Sequence, residues 1–256
     1  MDERDKEKEN ISVIAGRNPV MEAIKQDELI SRILVSKGQK EGSILKILSD
    51  AKKKGIPVKE VAVEKLDSIC ASHQGVVAYI SPIEFKEVSD LLEIAKQRNE
   101  DPFIIVLDQI EDVMNLGAIA RSAEAAGAHG IIIPLHRSAP VTPTTVKASA
   151  GALLNIKVAR VTNITRALEE LKEAGLWICG THQDADSTYY NANLKGPLAI
   201  VIGSEGEGMS RLVSENCDFT VNIPLVGSMT SLNASCAAAI VIFEALRQRQ
   251  NGKTVK

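Results

Sequence analysis

Apolar and polar positions along this 256-residue chain fall into three differently patterned stretches. From Ile11 to Ser81, short apolar runs alternate with amphipathic segments. A helix over Pro19 to Lys25 leads to the β-rich run Ile33-Leu34-Val35. Ile44, Ile47, Leu48 and Ala51 then recur at helical spacing, which predicts a helix over Ser43 to Lys54, and Gly55 and Pro57 end it. A strand over Val58 to Val63, a short helix over Glu64 to Ala71 and a strand over Val76 to Ile80 complete an α/β unit of about 70 residues, an ordinary domain size. Residues 82–102 read as a polar linker carrying one amphipathic helix, Val88 to Arg98, that closes against one domain. Asn99 to Pro102 punctuates the chain there.

Residues 103–250 alternate more regularly. The expected strands are FIIVL, GIIIP, IKVARV, LWICGT, LAIVIG and FTVNI, beginning at Phe103, Gly130, Ile156, Leu176, Leu198 and Phe219. The expected helices run Leu116 to Ala126, Thr144 to Ala150, Ile164 to Ala174, Met209 to Glu215 and Leu232 to Arg249. Near-continuous apolar strands between helices argue for an α/β domain whose parallel sheet is covered on both faces.

Composition narrows the classes. No apolar run approaches the roughly 20 residues that span a bilayer, and the opening MDERDKEKEN has no apolar stretch, so it reads as a solvated tail and not a secretory signal. Cys70, Cys179, Cys217 and Cys236 lie far apart with no CxxC pair, the pattern of a reduced, cytoplasmic chain without a metal site. The net charge of −3 does not advertise nucleic acid. Lys52, Lys53 and Lys54 form the densest basic run, for which a solvated helix end is the plainer account. With one tryptophan and few other rings, the chain offers no aromatic platform for base stacking.

Three stretches hold more polar and glycine positions than packing requires. In Asn115 to Gly127 (NLGAIARSAEAAG), Asn115 is placed as an N-cap and Gly127 as a stop, with Gly117, Arg121 and Glu124 on one face. An arginine one turn above a glycine suits a phosphate or carboxylate partner; an Arg121–Glu124 surface pair is the plain alternative. In Val201 to Met209 (VIGSEGEGM), an apolar strand runs into a loop of glycines and glutamates. Ligands of parallel sheets bind beyond the carboxyl ends of the strands, and acidic side chains fit a cationic or neutral-polar ligand better than a pyrophosphate. A plain strand–turn–helix connector has the same pattern. In Ile223 to Ser235 (IPLVGSMTSLNAS), Ser231 or Asn233 can cap the last helix, yet the hydroxyls and amides exceed what one cap needs.

Together the three stretches resemble the motifs of the SpoU-type branch of the SPOUT methyltransferases, which methylate ribose 2′-hydroxyls in RNA. The first is similar to N-x-G-A-I-x-R-[ST]-A, the second to I-V-x-G-x-E-G-x-G and the third to I-P-x-x-G-x-x-x-S-L-N-x-S. Lys147 to Ala152 (KASAGA) is also family-like, and the resemblance runs from Ile104 to Leu246. In the first domain, Gly16-Arg17-Asn18-Pro19-Val20 and His73-Gln74-Gly75-Val76 look like the substrate-binding domain preceding many of these enzymes, which is similar to a small RNA-binding ribosomal-protein fold. Two departures stand out: Asp112-Val113 replaces the family's frequent Asp-Pro, and Thr230 stands where some relatives carry a charge.

The resemblance implies a parallel sheet threaded into a trefoil knot, S-adenosyl-L-methionine as cofactor and a homodimer, for which the alanine-rich last helix is suited. It implies that backbone groups near Thr181, Gly203, Ile223 and Leu232 hold adenine and ribose, with the Glu205 loop as part of the wall. Arg121 is implied as the catalytic centre, with Asn115, Ser231, Asn233 and Glu205 orienting it or the substrate ribose. A guanidinium is effectively never deprotonated, so the charge of Arg121 is better read as holding phosphate and stabilising a developing alkoxide. The substrate implied is a guanosine of large-subunit ribosomal RNA. A transfer-RNA enzyme, an antibiotic-resistance ribosomal RNA enzyme and a non-catalytic RNA-binding protein are the alternatives. A dinucleotide enzyme is disfavoured by the missing G-x-G-x-x-G.

Overall fold

A computed structural model describes residues 13–26, 28–38 and 42–250. The expected charged tail and the start at Ile11 lie outside the described residues. The chain divides into two units, one reaching to Glu84 together with Pro140–Val146, the other comprising Phe85–Ala139 and the chain from Lys147 onward.

The first unit orders as β1 (Val13–Ala15), α1 (Arg17–Lys25), β2 (Ile30–Ser36), α2 (Ser43–Lys53), β3 (Val58–Val61), α3 (Val63–Asp67) and β4 (Val76–Ile80). Its sheet runs β1-β4-β2-β3, with β4 antiparallel to both neighbours and β3 parallel to β2. Alternation along β2 serves two cores: Ile33 and Val35 join Val20, Ile44 and Ile47 of the helices, while Leu34 joins Leu66 and Val77. β1 was not among the expected strands; three half-buried residues at an edge carry no period. The two motifs of this unit meet at one corner. Gly16, at φ +97°, donates its N–H to Val76 O (3.1 Å), and Arg17 donates from N and Nε to Oε1 (3.3 Å) and O (3.1 Å) of Gln74. His73 Nδ1 accepts the Gly75 N–H at 2.8 Å.

The second unit contains α4 (Val88–Arg98), β5 (Phe103–Leu107), α5 (Val113–Ala125), β6 (Gly130–Pro134), α6 (Pro143–Ala148, which begins in the Pro140–Val146 segment), α7 (Ala152–Asn155), β7 (Val158–Val161) and α8 (Ile164–Glu173). There follow β8 (Trp177–Thr181), β9 (Ser187–Thr188), β10 (Leu198–Ile202), α9 (Arg211–Glu215), β11 (Phe219–Asn222) and α10 (Ala234–Arg249). All pairs in its seven-stranded sheet are parallel, in the order β7-β6-β5-β10-β8-β11-β9. Every residue of β5 and β10 is buried, as expected for central strands covered on both faces. Leu91 of α4, Leu168 and Leu171 of α8 and Val213 of α9 share one core with Ile104, Val106 and Val201. α5 packs against α7 and α10. β10 enters between β5 and β8, both earlier in the chain.

Local differences from the sequence reading have physical causes. α5 starts at Val113, two residues before the expected cap. Asp112 is its N-cap, accepting from the N–H groups of Met114 (2.6 Å) and Asn115 (3.1 Å), so Asn115 sits inside the first turn with its side chain available elsewhere. The helix expected over Thr144 to Ala150 breaks where Ala150 and Gly151 turn left-handed (φ +50° and +86°), giving α6 and α7. The two-residue β9 is too short to have been read. Within the stretch expected as a linker, residues 85–102 fall in the second unit, with Val88 and Leu91 of α4 in its core, so the helix closes against that unit. Among the described residues, no helix is long and apolar enough to cross a membrane.

His129 enters the core just before β6, only 3% exposed. Its Nδ1 accepts the Phe103 N–H at 3.0 Å, leaving the proton on Nε2, which lies 3.1 Å from Glu100 Oε2. Burial lowers the imidazole pKa from 6.5, outweighing the opposing pull of Glu100. The unfolded chain therefore binds this proton more readily, so the histidine's stabilisation is complete above pH 6.5 and is lost as pH falls below it. Urea denaturation is expected to show stability declining below that pH, with a slope of at most about 1.4 kcal/mol per pH unit from one proton. His129→Gln should flatten this part of the profile.

Candidate active site

Because all strands of the second sheet point the same way, the loops after Leu107, Thr181, Ile202 and Asn222 gather beyond one edge, where ligands of such sheets bind. The loop after β10 closes on itself. Ser204 N–H donates to Gly208 O (2.9 Å) and Gly208 N–H to Ser204 O (3.0 Å), with Gly208 at φ +67° and Glu205, Gly206 and Glu207 exposed at the tip. A Cβ on Gly203 would lie 2.2 Å from Gly208 C and 2.3 Å from Met209 N, so only glycine lets this hairpin fold back on the strand end. Met209 in turn packs where Gly180 leaves room, since a Cβ there would lie 2.6 Å from Met209 Cε and 2.8 Å from Cys217 Sγ. Burial pushes the Cys217 thiol up to about 12 and raises that of Cys179 as well, so both are neutral thiols beneath this loop. Asp108, at the end of β5, is buried and its Oδ2 accepts the Ser210 N–H at 2.7 Å, tying the far side of the loop to the sheet.

One amide gathers all three stretches. Asn233 is the N-cap of α10, its Oδ1 accepting from Ser235 N (3.0 Å), Ser235 Oγ (2.6 Å) and Cys236 N (3.4 Å). The Nδ2 of the same side chain donates to Asn115 Oδ1 at 3.0 Å and to Glu205 Oε2 at 3.1 Å. On α5, Gly117 abuts Ala148, whose Cβ lies 2.6 Å from where a glycine Cβ would be, bringing the KASAGA segment against the first stretch.

Beside this junction is an open cavity of about 180 Å³. Thr181, Gly203, Ile223 and Leu232 all line it, as do Glu205 and Ser231. Thr181 Oγ1 donates to Val201 O at 3.0 Å. Asn115 and Asn233 reach the wall through Glu205. Arg121 is exposed on α5, two turns beyond Asn115, and is not among the lining residues. Among the described residues it makes no hydrogen bond or ion pair, so neither the pairing with Glu124 nor hydrogen bonds from Asn115, Ser231, Asn233 or Glu205 hold it.

Residues 102–243 match the SpoU rRNA Methylase family, and residues 13–86 match the RNA 2′-O ribose methyltransferase substrate-binding family. The chain belongs to the SpoU family of RNA ribose methyltransferases. It is 45% identical over 237 residues to YacO of Bacillus subtilis (strain 168), which carries a provisional name as a TrmH-family tRNA/rRNA methyltransferase; the match covers 92% of this chain and 95% of that one. Its structure is similar to that of the SpoU methyltransferase AviRb from Streptomyces viridochromogenes in complex with AdoMet (TM-score 0.59, 26% identity, 94% and 91% covered). A TrmH/SpoU tRNA-modifying enzyme from A. aeolicus is also similar (TM-score 0.55, 25% identity), over 64% of this chain and 83% of that enzyme.

In this SpoU protein, Val113 occupies the first helical position after the Asp112 cap. Proline is favoured at that position because its missing N–H is not needed there, so the departure leaves the cap intact. Thr230, the other departure, lines the cavity, as do His182 and Gln183, which the sequence reading did not single out. Their signal was available, since both directly follow the carboxyl end of a parallel strand. Asp108 had the same signal. Gly203→Ala is expected to pry the hairpin off the strand end, costing about 1–3 kcal/mol of stability in urea denaturation, as overpacking does. Proteolytic cleavage within residues 204–208 should accompany the loss.

Proposed function

We propose that this SpoU protein transfers a methyl group from S-adenosyl-L-methionine to the 2′-oxygen of a guanosine ribose in large-subunit ribosomal RNA, acting as a homodimer in the cytoplasm. The observation that carries the reading is the Asn233 amide, which holds the first and second stretches at the start of the helix opened by the third, beside a cavity. The donor set of that cavity fits the cofactor. Glu205 and Glu207 stand in its wall, among the described residues no lysine or arginine lines it, and Ile202, Val221, Ile223 and Leu232 offer apolar surface for an adenine. Such a wall suits a sulfonium cation and would repel a pyrophosphate.

S-adenosylmethionine, when bound, supplies an already activated methyl group, so the chain's task is alignment and charge. Thr181, Gly203, Ile223 and Leu232 hold the nucleoside. The uncommitted guanidinium of Arg121 binds a backbone phosphate and stabilises negative charge developing on the ribose oxygen; it does not take the hydroxyl proton, which passes to solvent water. Asn115, Glu205, Ser231 and Asn233 fix the loops that present the methyl group. A trefoil knot in the second unit belongs to the same reading, which draws support from the entry of β10 between two earlier strands.

The match of residues 102–243 to the SpoU rRNA Methylase family supports a ribosomal RNA substrate, and the tRNA-modifying relative leaves more than a third of this chain unmatched. The exposed apolar side chain of Phe243 on α10 supports pairing of two copies through that helix. Mapping of 2′-O-methyl groups in ribosomal and transfer RNA, with and without the gene, tests the substrate. Loss of a single ribosomal guanosine methyl is expected, and a loss confined to transfer RNA would favour the other substrate. Arg121→Ala should lower the transfer rate at least about 10²-fold while leaving cofactor affinity within a few-fold by calorimetry. Light scattering should return twice the 27.6 kDa chain mass at micromolar concentration.

A further inference from the structure

We propose that His182 binds the sugar of the cofactor, its Nε2–H donating to a ribose hydroxyl oxygen. The inference rests on the reading that the cavity takes S-adenosylmethionine. His182 follows the last residue of β8 and lines the cavity beside Thr181 and Gln183. Its backbone is fixed, because its N–H donates to Val221 O at 3.0 Å on the neighbouring strand.

The protonation pattern follows from one contact. His182 Nδ1 accepts the Asp184 N–H at 3.2 Å, so its lone pair is committed and the proton of the neutral ring is on Nε2. Among the described residues, no group accepts that proton. A donor with a fixed tautomer thus stands at the solvent-facing side of the cavity. The apolar side chains of Ile202, Val221 and Ile223 suit the flat base, and the carboxylate of Glu205, on the side where Asn233 and Asn115 converge, suits the sulfonium charge. The sugar joins base to sulfonium and brings two hydroxyl oxygens that accept from a donor on the cavity wall. A ring serving only to brace the Asp184 turn would have no effect on which sugar is bound.

The experiment is calorimetric titration of the full-length protein with S-adenosylhomocysteine and its 2′-deoxy and 3′-deoxy analogues. For the wild type, removing one of the two hydroxyls should weaken binding about five- to tenfold, the worth of one hydrogen bond. His182→Ala should bind the parent compound more weakly by a similar factor and show no further loss with that same analogue. His182→Gln, which keeps an N–H donor, should regain part of the affinity, and it carries the test if the alanine variant melts early. Unchanged affinity of both variants for the parent compound would overturn the inference, as would equal losses across all three ligands. A wild type that binds none of them would overturn the cofactor reading itself, and is recognised by that.

Discussion

Both ends of one amide are committed at the start of the last helix. The oxygen of Asn233 caps α10, and its nitrogen reaches Asn115 on α5 and Glu205 in the hairpin after β10. A carboxylate would keep the cap but lose the donor and face Glu205 with a like charge. A glutamine has the groups but is one methylene too long for an N-cap, where short side chains are preferred. The requirement for acceptor and donor in a short side chain accounts for asparagine here. It also makes the position of each loop depend on the other two.

That junction is possible because the backbone comes unusually close in several places. Gly203 admits the hairpin, Gly180 admits Met209, and Gly117 admits Ala148. In each case a methyl group would occupy space already filled, much of it by backbone at Gly203 and Gly117. Close packing leaves few ways to absorb such a change. The polar site is therefore supported by side chains, Met209 and Ala148, that stand outside the cavity wall.

Most long elements were legible because period and punctuation agree: Ile44, Ile47 and Ala51 in α2 with Gly55 and Pro57 after it, and the all-buried FIIVL and LAIVI strands. What escaped was either short or decided by tertiary contact. β1 and β9 have three and two residues, too few to show alternation. Asn115 resembled a cap because it is short and polar before an apolar run, but Asp112 took the role and freed Asn115 for Asn233. The four positions expected to hold the nucleoside line one cavity, since each lies at or just beyond the end of a strand or the start of a helix. His182 and Asp108 were overlooked because no local pattern distinguishes them; only the parallel direction of β8 and β5 marks their places.

The strand order carries a consequence for assembly. β10 pairs with β5 on one side and β8 on the other, separated from them by roughly 90 and 20 positions in the chain. Growth of the sheet outward from β5 through β6 and β7 can proceed as each strand is synthesised, but its middle stays open until residue 202 has emerged. Until then the apolar flanks of β5 and β8 have no mate, and such edges recruit other chains. Refolding of this protein should be slow and sensitive to crowding by its own copies, and a nascent chain paused before LAIVI is at its most adhesive.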